Sequence, residues 1–525
     1  MIFPSEEALS ASAGHIIQAA AVARASELLE GTNPSRSRGT FFRSRKRHSI
    51  AEVYGWMGER IFRRAFRMSY DSFWRLHSVL LPHILTITER AQTYQKKGGR
   101  QGGNFSFPPI RNGEISASMR LGAALRYFAG GSPYDIMCVF CISYSEVLKS
   151  VWVLVDAINH CPQFHISYPA SLEDQRRIAS EFNSASTPKF RNCAGAIDGI
   201  LIWTEKPSLA EAKSVGVDQK KFLCGRKHKF GLNCQAVSDC RGRILDISIK
   251  CGGSSSDCLA FEASELHRRL ENGLMQQDVG NERFVLFGDN AYLNTPYMAT
   301  PFTNVSGDAN QAAEDSYNFY HSQLRIRVEC CFGMLVQRWG ILRMRMPHGL
   351  SIKKIIAMIN ALAKLHNFCI GEIDAYNLSG AGNGGGEGGP NEVGDVGHIN
   401  EIYFDEDVGV GGVGGGEQGG LVEDDNDDAP PLLDRDVHNI ECSVPGYVEL
   451  LFDNIHQSIP VPTDLIHAGE HFVDVPECFL RRHKKNMTTG DLPRTKLLNL
   501  IVNGHWERPT RLEANYRRRS RSITK

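Results

Sequence analysis

Residues 193–203, CAGAIDGILIW, place Asp198 inside a run of apolar and β-branched residues. Such a run favours a buried strand, so the segment predicts a core strand that carries a carboxylate. Asp289 follows a second apolar run, RFVLFGDNAY. Glu329 lies in HSQLRIRVECCFGMLVQRWG, whose pattern is typical of a helix. An Asp, Asp, Glu set on two strands and a helix can hold divalent metal. This set of acids decides both the predicted fold and the predicted chemistry.

The segments around these acids follow a definite order of strands and helices. HKFGLNCQAVSD and RGRILDISIK predict two paired strands, followed by a helix over about 257–270 and the short strand that ends at Asp289. A long helix over about 322–339 and a closing helix, SIKKIIAMINALAKLHNFC, come next. Three strands, a helix, a strand and then helices is the order of a ribonuclease H-like domain. We therefore predict an α/β (α+β) protein with a mixed sheet.

A helical region precedes the predicted sheet. FRRAFRMSYDSFWRLHSVLLPHI has apolar residues at helical spacing, with Ser69 as the expected N-cap. Three helices follow over about 116–128, 133–140 and from 143 or 145 to 158. The last two resemble a helix-turn-helix, whose later helix can enter the major groove of DNA. A plain helical bundle is the alternative, because the last helix is strongly apolar and offers only Ser145, Glu146 and Lys149 for contact with bases.

The 525 residues have a net charge of zero, but the charges are spread unevenly. A basic run covers about 36–48, an acidic glycine-rich stretch covers about 381–436, and RRRSRS lies near the end. Segments of opposite sign are compatible with nucleic-acid binding by part of the chain. The run RSRKRH is either a nuclear import signal or a solvated basic arm. We expect a nuclear protein.

These changes in composition divide the chain into five predicted segments. They are a disordered basic arm (1–49), a helical, helix-turn-helix-like domain (50–185), a ribonuclease H-like nuclease domain (186–371), an acidic glycine-rich disordered linker (372–436) and a weakly ordered appendix with a basic tip (437–525). No apolar run is long enough to span a bilayer, so no membrane association is expected. The cysteines lack zinc-ribbon spacing, and we expect reduced thiols rather than a zinc site.

Taken together, the motifs resemble those of the Harbinger-type DDE transposases and the host nucleases derived from them. The matching segments are FRRAFRMSYDSFWRL, LGAALRYFAGGSPYDI with ISYSEV, GAIDG, CGGSSSD, GDNAY, RVECCFG and LHNFC, and they cover roughly 50–370. The resemblance implies that Asp198, Asp289 and Glu329 are the catalytic and metal-binding residues. The chain departs from the family at Cys251, where the family often has proline, and at Asn290, where it often has serine. Neither departure removes a carboxylate.

The expected chemistry is phosphodiester cleavage with two divalent ions, Mg²⁺ or Mn²⁺, held about 4 Å apart by these carboxylates. Each acid alone has a plainer explanation, since Asp198 could end a strand and Glu329 could face solvent. Asp257 is a weaker candidate for a metal ligand, because helix N-capping explains it fully. We predict a metal-dependent DNA endonuclease or transposase; the alternative is a catalytically inactive, domesticated DNA-binding or scaffold protein on the same fold. An RNA-cleaving enzyme would share the chemistry but fits the helix-turn-helix-like block poorly.

Basic side chains near the predicted site, together with Lys149 of the helix-turn-helix-like block, are the candidates for contact with DNA. They are Arg226, Lys227, Lys229, Arg325, Arg327 and Lys149. A solvated surface, or pairing with nearby acids, is the alternative role for them. The resemblance also implies a separate Myb-like DNA-binding partner protein, and a homo-oligomer is compatible with the sequence.

Overall fold

The computed structural model describes residues 46–98, 115–185, 190–278, 282–303, 311–380 and 492–508. Almost all of the predicted N-terminal arm, most of the acidic linker and most of the C-terminal appendix lie outside these ranges. The predictions made for those segments therefore stay predictions.

Within the described ranges, six helices come before the sheet. They are α1 (Ile50–Phe66), α2 (Tyr70–Gly98), α3 (Ala117–Phe128), α4 (Pro133–Phe140), α5 (Tyr144–His160) and α6 (Leu172–Ala185). Ser69 caps α2 as predicted, because its hydroxyl accepts a hydrogen bond from the Ser72 amide at 3.0 Å. The ends of α3, α4 and α5 lie within two residues of the predicted ones. Local capping signals of this kind are visible in sequence.

Helices α4 and α5 meet at 101° across a three-residue turn, in which Cys141 adopts a left-handed conformation with φ of 51°. This angle is in the range of helix-turn-helix motifs. Val147, Leu148 and Val151 of α5 are fully buried, so the helix is also part of a bundle core. In the described ranges no single helix is long and apolar enough to cross a membrane, although α4 and α5 together pass that test as a bent pair.

A six-stranded mixed sheet forms the centre of the molecule. Its strands are β1 (Cys193–Trp203), β2 (Leu223–Cys224), β3 (Lys229–Ser238), β4 (Ile244–Gly252), β5 (Val285–Phe287) and β6 (Met298–Ala299). The order is β2-β3-β1-β5-β6, with β4 paired to β3. β1, β3 and β4 are antiparallel neighbours, whereas β5 runs parallel to β1 and to β6. This is the predicted α+β class, with a ribonuclease H-like domain.

The remaining helices of the described ranges are α7 (Leu209–Ser214), α8 (Asp257–Glu262), α9 (Glu265–Glu271), α10 (Gln311–Arg338), α11 (Ile352–Gly380) and α12 (Pro493–Asn503). The prediction of one helix over 257–270 is wrong, because Ser264 interrupts it. The Ser264 hydroxyl accepts a hydrogen bond from the His267 amide at 3.0 Å and caps a new helix, α9. The long helix α10 begins at Gln311, eleven residues before its predicted start.

Alternate residues of β1 belong to opposite faces of the sheet, as the two-residue period of a strand requires. Ala196 and Ile202 join the larger core, which α10 and α11 cover, whereas Ile197 joins a smaller core with Phe261 and Leu266 of α8 and α9. The larger core also includes the helices before the sheet. The sheet therefore has a helical layer on each face.

Two contacts show how the first helices pack on the rest of the protein. The rings of Phe128 and Trp339 meet edge to face with centroids 6.3 Å apart. The Asn159 side-chain amide donates to the Ala357 carbonyl oxygen at 2.8 Å. The helices before the predicted boundary near residue 185 and the elements after it thus share one continuous hydrophobic core.

The described C-terminal segment, 492–508, packs against α10. Leu497 and Ile501 of α12 are buried. The Tyr320 hydroxyl donates to the Glu507 carbonyl oxygen at 2.9 Å, and the Arg508 amide donates to the Ser316 hydroxyl at 3.0 Å. This docking, which the sequence analysis did not anticipate, supports the first half of the helix that carries Glu329.

Candidate active site

Asp198 and Asp289 come from neighbouring parallel strands. Ala196 of β1 is in register with Phe287 of β5. Each aspartate is two residues further along its chain, and residues two apart lie on the same side of a strand. Neighbouring strands are about 4.8 Å apart. The register therefore brings the two aspartates side by side, at the point where β5 has just ended.

Glu329 reaches the same place from α10, the helix that covers this face of the sheet. The Arg325 Nη1 atom lies 2.5 Å from Glu329 Oε1 and 3.6 Å from Asp198 Oδ2. Because one nitrogen contacts both oxygens, Asp198 and Glu329 present oxygens no more than about 6 Å apart. The charges of Glu329 and Arg325 also act on Asp289. The structure thus brings Asp198 and Glu329 to one guanidinium, and the strand register places Asp289 beside Asp198.

The environment of the two aspartates disfavours negative charge. Burial raises the pKa of Asp198 to about 7; the Gly199 amide, which donates to Asp198 Oδ1 at 2.8 Å, opposes this rise, and the nearby Asp289 adds to it. Burial likewise raises the pKa of Asp289, against a hydrogen bond from the Ala291 amide at 2.9 Å. Crowded, partly buried carboxylates are stabilised by a bound cation.

Divalent metal suits this set of donors. All three side chains supply carboxylate oxygens, which are the ligands that Mg²⁺ prefers. As the side chains stand, however, the described ranges contain no group of three or more His, Cys, Asp or Glu residues arranged to hold a metal ion. The donor chemistry fits a metal, but the arrangement of the side chains would have to adjust.

A fourth acid, Asp257, lies on the opposite face of β1. A Cβ atom on Gly199 would come within 2.1 Å of Asp257 Oδ1, so only glycine allows this approach. The same oxygen accepts hydrogen bonds from Asn233 Nδ2 at 3.1 Å and from Gln235 Nε2 at 2.9 Å. The prediction that Asp257 caps its helix is wrong, because Ser256 is the N-cap of α8.

The hydrogen-bond network extends from Asp257 to the segment that carries Asp289. The Tyr292 hydroxyl donates to Gln235 Oε1, and the Tyr292 amide donates to the Asp289 carbonyl oxygen at 3.3 Å. Burial raises the pKa of Tyr292, and the surrounding aspartates add to this rise, so the hydroxyl stays protonated and can donate. These supporting residues were not predicted from the sequence. The signal was two amides, Asn233 and Gln235, at alternate positions of an otherwise apolar strand.

Three of the predicted DNA-binding residues lie at the far end of the sheet. Arg226 and Lys229 are exposed and Lys227 is half-buried, in the turn that joins β2 and β3. The Lys229 ammonium group is 3.3 Å from the centroid of the Trp203 ring. Since Trp203 is five residues beyond Asp198 on β1, this basic turn lies roughly 16 Å from the acids along the strand.

The other three predicted DNA-binding residues have different surroundings. Arg325 contacts the acids themselves. Arg327 points elsewhere, and its charge acts on Cys240 and Cys330. Lys149 pairs with Glu146 at 2.8 Å. The structure therefore does not bring the six basic residues into one surface, and their role in DNA binding stays a prediction.

Residues 197–367 match a protein family described as the DDE superfamily endonucleases. The matched range contains Asp198, Asp289 and Glu329, so this part of the chain is similar to the DDE superfamily endonucleases, as the motifs indicated.

Curated relatives carry the name "Putative nuclease HARBI1". The protein from Homo sapiens is 26% identical over 243 residues, which are 46% of this chain and 63% of the relative. The Rattus norvegicus protein is 25% identical over 274 residues, 51% of this chain and 72% of the relative. The chain thus spans less than two thirds of the human relative's length. No solved structure matches the chain with comparable significance.

Proposed function

We propose that this protein is a divalent-metal-dependent DNA endonuclease whose catalytic residues are Asp198, Asp289 and Glu329. The observation that carries the proposal is the meeting of three carboxylates from β1, the end of β5 and α10, within a domain of the DDE endonuclease family. The names of the curated relatives also support a nuclease. Transposition itself is the finer proposal, and it rests on the resemblance alone.

The three acids would share two Mg²⁺ or Mn²⁺ ions. When bound, such ions lower the pKa of the attacking water and neutralise charge on the leaving oxygen. The protein's part is to hold the carboxylates on rigid elements. Asp198 is fixed by its strand and by the Gly199 amide, and Asp289 by the turn that the Ala291 amide closes. The buried network below them keeps Tyr292 in place.

DNA is the proposed substrate because exposed basic groups lie on the same sheet as the acids, at its far end. Arg226 and Lys229 are exposed, Lys229 lies over the Trp203 ring, and Lys or Arg side chains of this kind neutralise phosphates. The angle between α4 and α5 suits a helix-turn-helix, whose second helix would approach the major groove. By resemblance we further propose nuclear localisation and a Myb-like partner protein.

The test is a cleavage assay with the full-length chain on DNA that carries the terminal repeats flanking its own locus. We expect strand breaks with Mg²⁺ or Mn²⁺, none with chelator, and none with Asp198→Asn. Glu173→Gln, which changes an exposed acid on α6, is the matched control and should cut like the wild type. DNA binding without cleavage would instead support the catalytically inactive scaffold. Cleavage that persists in Asp198→Asn would reject the assigned site.

A further inference from the structure

Arg325 lies between two of the three acids, Asp198 and Glu329. It lies one helical turn before Glu329, and residues at this spacing share a face of the helix. Its guanidinium reaches past Glu329 to Asp198 on the sheet. The Arg325 side chain is 21% exposed and that of Asp198 is 18% exposed, so the contact is sheltered from solvent.

Arg325 is also the cation whose charge favours ionisation of both aspartates, whereas neighbouring carboxylates oppose it. The other nearby basic group, His321, lies one turn earlier on α10. His321 is buried and its ring stacks on Phe287 with centroids 4.6 Å apart. Burial lowers the pKa of His321 to about 4, so its ring is neutral at physiological pH. The positive charge in the cluster therefore comes from Arg325.

We propose that Arg325 is an internal counter-ion that holds the carboxylates of the metal-free site and is displaced when a divalent cation binds. The inference rests on the proposed function, since it requires that the acids bind metal. A cation shared by Asp198 and Glu329 needs the oxygens Oδ2 and Oε1, which are the atoms that Arg325 contacts. A guanidinium and a metal ion of like charge cannot both sit against these oxygens without strong repulsion.

This competition accounts for one feature of the site and has one consequence for metal binding. Asp198 and Glu329 are directed at the planar guanidinium of Arg325, which has five hydrogen-bond donors. This direction explains why no three acidic side chains of the described residues are arranged to hold a metal ion. Displacement also sets a threshold: metal binds only when its attraction to the carboxylates exceeds that of the arginine they already hold. Arg325 thus regulates the metal affinity of the site.

The experiment measures Mn²⁺ binding by the full-length protein without DNA, using isothermal titration calorimetry. Arg325→Gln removes the competing charge and keeps a polar side chain of similar reach. We expect Mn²⁺ to bind Arg325→Gln at least about fivefold more tightly than the wild type, the lower end of typical coupling between sites. Arg327→Gln is the matched control, because it removes the same charge from the same helix without touching the acids. Its affinity should equal that of the wild type.

Thermal unfolding supplies a second readout that does not depend on calorimetry. In chelator, Arg325→Gln should melt below the wild type, because the acids lose their counter-ion. On addition of Mn²⁺ it should gain more stability than the wild type, since a tighter ligand stabilises the folded state more. Arg325→Lys keeps the charge and guards against a variant that simply fails to fold; its Mn²⁺ affinity should stay close to that of the wild type.

Equal Mn²⁺ affinity in the wild type and Arg325→Gln would overturn the counter-ion role while leaving the metal site intact. Weaker binding by Arg325→Gln would also overturn it, because Arg325 would then orient the ligands rather than compete with the metal. If the wild type and all Arg325 variants fail to bind Mn²⁺, and Asp198→Asn changes nothing, the proposed metal-dependent function fails together with the inference.

Discussion

At the scale of one residue, burial of the Asp198 carboxylate lowers the stability of the fold when that carboxylate is charged. This carboxylate is part of a strand in the middle of the sheet, and it faces a helix that brings a further acid. Burial raises its pKa to about 7, so near neutral pH the metal-free site is balanced between its protonated and charged forms. A bound cation would favour the charged form.

Asp198→Asn should therefore stabilise the metal-free protein, and the gain should depend on pH. The pKa of Asp198 is raised in the folded state, so its contribution to stability is present at low pH and is lost as pH rises from about 4 to about 7. We expect this substitution to add about 1–3 kcal/mol to the free energy of unfolding at pH 8 and almost nothing at pH 4. Urea unfolding in chelator measures this difference. A variant less stable than the wild type at pH 8 would show that the buried charge of Asp198 does not destabilise the fold.

Asp289→Ala should abolish strand cleavage and leave DNA affinity unchanged or slightly raised. Loss of the carboxylate removes the proposed metal ligand needed in the transition state, but it also removes a negative charge that would repel phosphate. Cleavage kinetics and a gel-shift titration on the same DNA separate the two effects. DNA cleavage by this variant at the wild-type rate would reject the assignment of Asp289 as a catalytic residue.

At the scale of elements, β1 supports the site from both of its faces. Asp198 is on the face covered by α10, and the next residue, Gly199, leaves room for Asp257 on the other face. The buried network formed with Asn233 and Gln235 then connects β3 to the loop after β5. Buried polar groups that are all paired in this way make an element rigid.

Gly199→Ala should disturb this support. The added methyl group would lie 2.1 Å from Asp257 Oδ1 and 2.4 Å from Gln235 Nε2, so the network must shift. We expect a loss of about 1–3 kcal/mol in the free energy of unfolding, the usual cost of overpacking. Gly225→Ala is the control, because nothing lies within 4 Å of the added atom there. Equal unfolding midpoints in urea for the two variants would show that the close approach at Gly199 is unimportant.

The sequence was sufficient for features that depend on local signals. Capping at Ser69, the strand around Asp198 and the helix around Glu329 all follow from residue types and spacing within a few positions. The break between α8 and α9 was not predicted, because the apolar periodicity continues through it. In the structure, N-capping by Ser264 decides where α9 begins. Local rules of this kind conflict often enough to blur the ends of elements.

Features that depend on distant parts of the chain could not be read from the sequence. The spacing of Arg325 and Glu329 shows that they share a helix face, but only the fold shows that Asp198 lies within reach of the same guanidinium. Likewise, nothing local indicates that Leu497 would pack against α10 across more than a hundred intervening residues. Tertiary packing decides such contacts.

At the scale of the whole molecule, the first helices and the part of the chain that contains the sheet share one core. The contacts of Phe128 with Trp339 and of Asn159 with Ala357 fix α3 and α5 relative to α11 and the end of α10. The direction from α5 to the acids is therefore set by packing rather than by a flexible connection. DNA held by α5 would be presented to the acids at one angle.

Residues 381–431 lie outside the described part of the chain, yet their charge has a consequence for the whole molecule. They contain 13 Asp and Glu residues and no Lys or Arg, so the zero net charge of the chain depends on them. A stretch of this composition should compete with DNA for basic surfaces such as the turn with Arg226 and Lys229. We expect its deletion to tighten DNA binding by about tenfold at low salt, and the gain should shrink as salt screens the charges.

Two variants separate charge from chain length in this prediction. One deletes residues 381–431, and the other keeps the length but replaces the 13 acids with Asn and Gln. Both should bind DNA more tightly than the wild type in fluorescence anisotropy at low salt, and both should approach it at high salt, because screening removes the competition. If only the deletion changes affinity, chain length is the cause. Equal affinity for all three proteins at low salt would show that the stretch does not compete with DNA. The basic surfaces would then be available to DNA in the full-length chain.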